Sequence, residues 1–238
     1  MKLLIEVIVQ NAEEAKQAEY LGADRLELVS AISEGGLTPS YGTIKQVLQA
    51  VEIPVQVMIR PHSYNFYYSE ADIAIILEDI KAVLSLGSNR IVFGGLTKDN
   101  AIDEKALSEI IKLDSKLDIT FHRAFDEVVS QEAAYHTLLH YKQQVKRILT
   151  SGGEVTCEAG KDNLKKLVNL SKTTNGPAIL PGSSLGQANI ESIHSVVSAS
   201  QYHFGKALRK GGSFAQGFDP EAFSRIKQFS GVMDDRNV

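Results

Sequence analysis

Ile119-Thr120-Phe121-His122-Arg123-Ala124-Phe125-Asp126 starts as a strand and ends as something else. Residues 118–121 form a short apolar, β-prone run, and a histidine, an arginine and an aspartate follow between positions 122 and 126. A buried strand gains no stability from such an ending. Charged and titratable groups at the C-terminal end of a parallel strand are, however, the material of binding and catalytic sites. The plainer alternative is a loop ion pair of Arg123 with Asp126 beside a solvated His122. The pattern of the whole chain bears on the choice.

Outward from this stretch the same unit recurs. Apolar, β-prone runs stand at 3–9, 24–28, 55–59, 90–93, 118–121, 145–150, 177–181 and 201–204. Between them lie helical segments with recognisable ends. Asn11 precedes Glu13 and Glu14 in a first turn where acids suit the helix dipole, and Gly22 closes that helix. Ser40 caps 41–50, Ser69 with Asp72 forms a capping box for a helix reaching Leu86, and Asp103 caps a helix to about Lys112. Ser130 caps 131–141, Leu164, Leu167 and Val168 mark the apolar face of another helix, and Asn189 opens one through Val197.

Eight alternations of strand and helix predict a parallel sheet covered by helices. In a chain of this length they fit an α/β, closed (β/α)₈ TIM barrel. The expected layout is one domain over residues 1–238, with a core at about 3–205, a last helix at 220–229 and a polar tail. An open doubly wound sheet is the alternative, but no GxGxxG or phosphate-loop lysine motif is present to favour it.

Composition narrows the function classes. The 238 residues carry 25 Lys+Arg against 29 Asp+Glu, a net charge of −4, which argues against nucleic acid as a partner. A lone cysteine, Cys157, excludes an internal disulfide and a thiolate zinc cluster and suits a reducing compartment. No apolar run is long enough for a membrane span, and Glu6 interrupts the N-terminal apolar run too early for a signal peptide. The expectation is a soluble, cytoplasmic protein.

In a (β/α)₈ barrel all strand C-termini converge on one face. There the strands deliver Glu6, Glu27, Arg60, His122 with Arg123, then Thr150, Ser151 and Gly152, then Gly182, Ser183 and Ser184, and finally His203 with Lys206 close behind. Glu6 and Glu27 lie inside apolar strands, where an unpaired carboxylate is costly. Either they face the barrel mouth, or alternation turns them toward partners in the helix layer.

In the first case Arg60 and Arg123 can hold a carboxylate or phosphate bidentately. Glu6 or Glu27 can act as a base and His122 as a proton donor. The amides at 151–153 and 182–184, together with His203, can help bind an anion, though the glycines can equally be turn residues. Acids with histidines can also hold a divalent metal, although no known metal-spacing motif is present. Tyr64, Phe66, Tyr67 and Tyr68 after the third strand can form a lid over the mouth or a contact with a partner chain.

The motifs Gly22-Ala23-Asp24-Arg25-Leu26-Glu27-Leu28, Glu34-Gly35-Gly36-Leu37-Thr38-Pro39-Ser40 and Met58-Ile59-Arg60-Pro61 together resemble the CutC family. The likeness continues through Thr120-Phe121-His122-Arg123-Ala124-Phe125-Asp126 and Arg147-Ile148-Leu149-Thr150-Ser151-Gly152, and spans residues 3 to about 205 in order. The resemblance implies a (β/α)₈ barrel, a cytoplasmic role in copper homeostasis with copper binding, and a homodimer or higher homo-oligomer. It implies no specific reaction. Where family members carry cysteines after the first-strand acid and after the second strand, this chain has Ile8-Val9-Gln10 and Val29. Soft Cu(I) favours sulfur ligands, and besides Cys157 the sulfur here is limited to Met1, Met58 and Met233.

Overall fold

A computed structural model describes residues 3–235, with side chains to residue 231. Eight parallel strands alternate with helices around a nearly closed barrel. The strands are β1 (Leu4–Val9), β2 (Arg25–Leu28), β3 (Val55–Met58), β4 (Arg90–Phe93), β5 (Asp118–Phe121), β6 (Val145–Thr150), β7 (Ala178–Pro181) and β8 (Gln201–Phe204). The helices are α1 (Ala12–Leu21), α2 (Tyr41–Leu48), α3 (Glu70–Ser85), α4 (Glu104–Ile111), α5 (Gln131–Leu139), α6 (Lys161–Thr174), α7 (Ile190–Val197) and α8 (Pro220–Asp235). The paired order is β7-β6-β5-β4-β3-β2-β1-β8. The seam between β7 and β8 is spanned by the Gln201 amide, which donates to the Ile179 carbonyl at 3.4 Å.

Capping residues fix the helix starts as their chemistry dictates. Asn11, Ser40, Asp103 and Ser130 each accept an amide of the first turn, and Ser69 with Asp72 closes a reciprocal capping box. Gly22 ends α1 at φ 98°, a conformation that costs glycine little. The final helix runs past 229 to Asp235, so apolar contacts of Phe223 and Ile226 anchor a longer element than the local sequence suggests.

Strand alternation sorts the side chains into two layers. Ile5, Val7, Leu26, Leu28, Val57, Ile91, Ile119, Ile148 and Phe204 face the helices and form the main apolar core. Each such side chain is worth about 1.5–3 kcal/mol of burial. The opposite faces fill the barrel, and their lower part is polar. Gln56 donates to Asp118 at 3.3 Å although β3 and β5 are not neighbours, and Arg25 reaches Gln201 at 2.8 Å from β2 to β8. Contacts between non-adjacent strands can run only through the barrel. Arg147 pairs with Asp118 at 2.7 Å and donates to Thr120 at 3.0 Å. Above these lies an apolar set, Ile8, Val29, Met58 and Val92, which packs apart from the main core with Ile32 and Phe214. Among the described residues no helix is long and apolar enough to cross a membrane.

Candidate functional site

Alternation places Glu6 and Glu27 on the inner face of the barrel. Register sets Glu6 beside Arg25 on one side and His203 on the other, and sets Glu27 beside Ile8 and Gln56. Glu6 is fully enclosed, with Arg25 Nε hydrogen-bonded to its Oε2 and His203 Nδ1 at 2.8 Å from its Oε1. Burial opposes its ionisation, but Arg25 and His203 outweigh that and hold the carboxyl at about 2.

Glu27 is in the opposite situation. It is 3% exposed, its Oε2 lies 3.7 Å from His203 Nε2, and its Oε1 has no partner. Burial, with the nearby Glu6 charge adding to it, pushes the Glu27 carboxyl up to about 7 against the pull of His203 and Arg25. For His203 burial favours the neutral ring, but Glu27 and Glu6 overcome it and raise the pKa. His203 and Glu27 are therefore coupled, each favouring the charged form of the other.

The fifth strand ends where its sequence changes character. His122 caps a 3₁₀ turn, Arg123–Asp126, and its Nδ1 accepts the Ala124 amide at 3.1 Å. The ring is buried, its Nε2 has no partner, and Phe66 packs on it at 4.9 Å. Burial, reinforced by the Arg60 charge, drives the His122 pKa down to about 3. Its neighbour Gly94 makes room, since a Cβ there would sit 2.5 Å from Nδ1.

These groups surround a cavity of about 710 Å³ at the C-terminal face, lined by Glu27, Arg60, His122, Arg123, Ser183 and His203 among others. Its apolar wall includes Ile8, Met58, Phe66, Leu149 and Phe214, and Lys206 stands at its edge. Arg209 secures this side. It is buried, pairs with Glu14 at 2.7 Å, donates to the Ile8 carbonyl at 3.1 Å and lies over Phe214 and Phe218.

Several expected anion contacts are committed elsewhere. The Arg60 guanidinium donates to the carbonyls of Glu34, Gly36 and Ser63 at 3.3, 3.4 and 3.3 Å and lies 4.7 Å from the Phe66 ring. It clamps two loops, with only Nε unpartnered. Arg123 is half exposed and pairs with Asp126 at 2.7 Å and with Ser151 Oγ at 3.1 Å. Asp126 also takes Thr150 Oγ1, the Ser151 amide and hydroxyl, and the Gly153 amide. The Gly152 amide goes to Thr150 Oγ1 at 2.9 Å and the Gly182 amide to the Thr150 carbonyl at 3.1 Å. Thr150, Ser151, Gly152 and Gly182 thus serve loop order rather than offer amides to a ligand. Ser183 and Ser184 do line the cavity, both at positive φ, 91° and 53°. Such strain in non-glycine residues concentrates where a loop is shaped for use.

Sequence reasoning overlooked Arg25, Gln201 and Phe214. Arg25 carried a usable signal, since it stands two residues before Glu27 and period-two alternation puts both on one face. Of the aromatic loop, Phe66 joins the cavity wall and Tyr68 is buried, while Tyr64 is 83% exposed and stacks on His62 at 4.4 Å.

The donor chemistry can be tested against copper. Glu6, Glu27 and His203 offer ligand atoms within 4.8 Å of one another. Both Glu6 oxygens, however, are engaged by Arg25 and His203. Cys157, the lone cysteine, is buried, donates to the Gly182 carbonyl at 2.7 Å, and burial pushes its thiol up to about 12. A thiol so held is a poor source of thiolate, so these residues do not fit a Cu(I) site.

The model of the CutC family matches residues 3–207. The chain belongs to the CutC family. The human relative, named copper homeostasis protein cutC homolog, is 39% identical over 200 residues, covering 84% of this chain and 72% of that protein. The CutC family protein of Sodalis glossinidius is 37% identical over 233 residues, covering 94% and 90%. The solved structure of CutC from Streptococcus agalactiae superposes with a TM-score of 0.79 at 30% identity over 85% of this chain and 98% of that one. Phosphoribosylanthranilate isomerase from Thermotoga maritima, with a TM-score of 0.64 at 14% identity over 97% and 99%, shares the fold alone.

Proposed function

We propose that this CutC chain is an enzyme that moves a proton on a small anionic substrate, with Glu27 as the proton carrier. The observation that carries the reading is the state of Glu27. It is a buried carboxyl on the cavity wall, with a free Oε1 and an affinity for protons balanced at about 7. A group so balanced gives and takes a proton equally well at neutral pH. Burying a carboxyl without pairing both oxygens costs stability, and a catalytic role accounts for that cost.

Around Glu27 the other parts take consistent roles. Glu6, fixed by Arg25, holds His203 through Nδ1 and so aims Nε2 at Glu27. Lys206 supplies positive charge at the cavity edge for a carboxylate or phosphate, while Arg123, neutralised by Asp126, shapes the rim. The apolar wall limits water and strengthens those interactions.

A thermal-shift screen of phosphorylated and carboxylated metabolites tests the reading. A hit should raise the melting temperature of the wild type and lose its effect in Lys206→Ala. If no anion stabilises the protein, the reading fails.

A role in copper homeostasis is the second reading, supported by the name of the human relative. Given the donor set, it runs through the reaction or through partners rather than through a thiolate copper site in this chain.

A further inference from the structure

We propose that His122 is a neutral hydrogen-bond donor to a substrate carbonyl oxygen, so that the reaction at this site is enolisation, the removal of a proton next to a carbonyl. The inference rests on the proposed role of Glu27 and names the substrate class that such a pair serves.

The hydrogen-bond network assigns the tautomer. The Ala124 amide can donate to His122 Nδ1 only if that nitrogen carries a lone pair. In the neutral ring the proton must then be on Nε2. That nitrogen is buried, has no acceptor, and belongs to a residue lining the same cavity as Glu27. A buried N–H without an acceptor is costly, and a ligand oxygen is the partner that would satisfy it.

The surroundings keep the ring neutral. Arg60, the charged group facing it from the end of β3, repels a second proton, and burial does the same. His122 is therefore no general acid. It is a fixed dipole that donates without giving up its proton. Gly94 leaves just enough room for the ring on one side and Phe66 packs on it from another, so little reorganisation is needed when charge develops.

A raised glutamate with a neutral histidine donor suits one kind of step. Glu27 as carboxylate takes the proton of a C–H bond adjacent to a carbonyl, forming O–H on the carboxyl. The electron pair of that bond moves to make the C=C bond of an enolate, and the carbonyl π pair moves to oxygen. The resulting oxyanion receives the hydrogen bond from His122 Nε2. Reversal returns the proton to carbon, and no oxidant or reductant is required. Pairing of a glutamate base with a neutral histidine electrophile is a known solution for such protons.

Two measurements decide it. The first is the ¹⁵N spectrum of the histidine rings in the wild type, with His122 assigned by through-bond correlation to its own backbone. The expected result is a neutral ring bearing its proton on Nε2 throughout pH 5 to 8. An Nδ1–H tautomer, or a ring that protonates in that range, overturns the proposal even if the His122→Phe variant fails to fold.

The second compares binding of phosphoglycolate with that of phosphoglycolohydroxamate, whose planar oxygens resemble an enolate. The hydroxamate should bind the wild type at least about tenfold more tightly, and the preference should vanish in His122→Phe. Phosphoglycolate binding without a hydroxamate preference sinks enolisation and leaves the anion-site reading standing. Failure of both compounds to bind the wild type counts against both.

Discussion

Replacing Glu27 by glutamine should stabilise the protein, and only above a definite pH. In the folded chain the Glu27 carboxyl sits at about 7 against an ordinary value of 4.5. The folded state thus holds this proton more tightly than the unfolded chain does. The stability tied to it is complete below about pH 4.5 and is lost progressively as pH rises through 7. Ionising the buried carboxyl above that pH costs the fold about 3 kcal/mol, at about 1.4 kcal/mol per pH unit. Glutamine keeps the shape and pays none of it.

Glu27→Gln should therefore raise stability by up to about 3 kcal/mol at pH 8.5 and by a few tenths at pH 4.5. In a domain of this size that is about 6–12 °C in Tm at the higher pH. Thermal and urea melts of both proteins at the two pH values provide the assay. An equal difference at both, or a loss of stability at pH 8.5, would refute the reasoning. Catalysis should fall in the same variant, a trade of stability for function.

Other substitutions test other parts. Asp126→Ala frees Arg123, Thr150, Ser151 and Gly153 at once and should cost about 3 kcal/mol in urea melts. Gly94→Ala drives a methyl to 2.5 Å from His122 Nδ1, so the ring must shift and its bond from the Ala124 amide should weaken, read as displaced His122 ¹⁵N resonances. Gly160→Ala places a Cβ against the Ser151 carbonyl and should destabilise by about 3 kcal/mol or more, read as lost soluble yield or a lowered Tm. Titration of the reduced protein with Cu(I) against a micromolar chelator should show no site that wins the metal, because Cys157 is enclosed and hydrogen-bonded.

The barrel was legible because its signals are local. Capping residues such as Ser69 with Asp72, and the recurrence of short apolar strands, are properties of a few adjacent residues. The direction of Glu6 and Glu27 stayed open in the sequence, because alternation fixes which residues share a face but not which face turns inward, and the contacts of Glu6 with Arg25 and His203 decide it. The polar partners were harder. Arg25, Gln56, Asp118, Arg147 and Gln201 meet inside the barrel, yet their pairings join strands far apart in sequence. Arg60 illustrates the limit. Its place at a strand end suggested a ligand contact, but three carbonyls from loops before and after it take the guanidinium. Asp126 shows the reverse, a residue expected to pair with Arg123 in a loop that does so and also organises the whole turn after β6. Which of Glu6 and Glu27 is ion-paired depends on Arg25 sitting beside one and not the other, a fact of register rather than of composition.

The central claim is that Glu27 is the group balanced for proton transfer at neutral pH. Carbon-13 NMR of side-chain-labelled glutamate, with Glu27→Gln identifying the resonance, measures this directly. The account predicts a titration midpoint close to 7 for Glu27. A midpoint at or below 4.5 would contradict it.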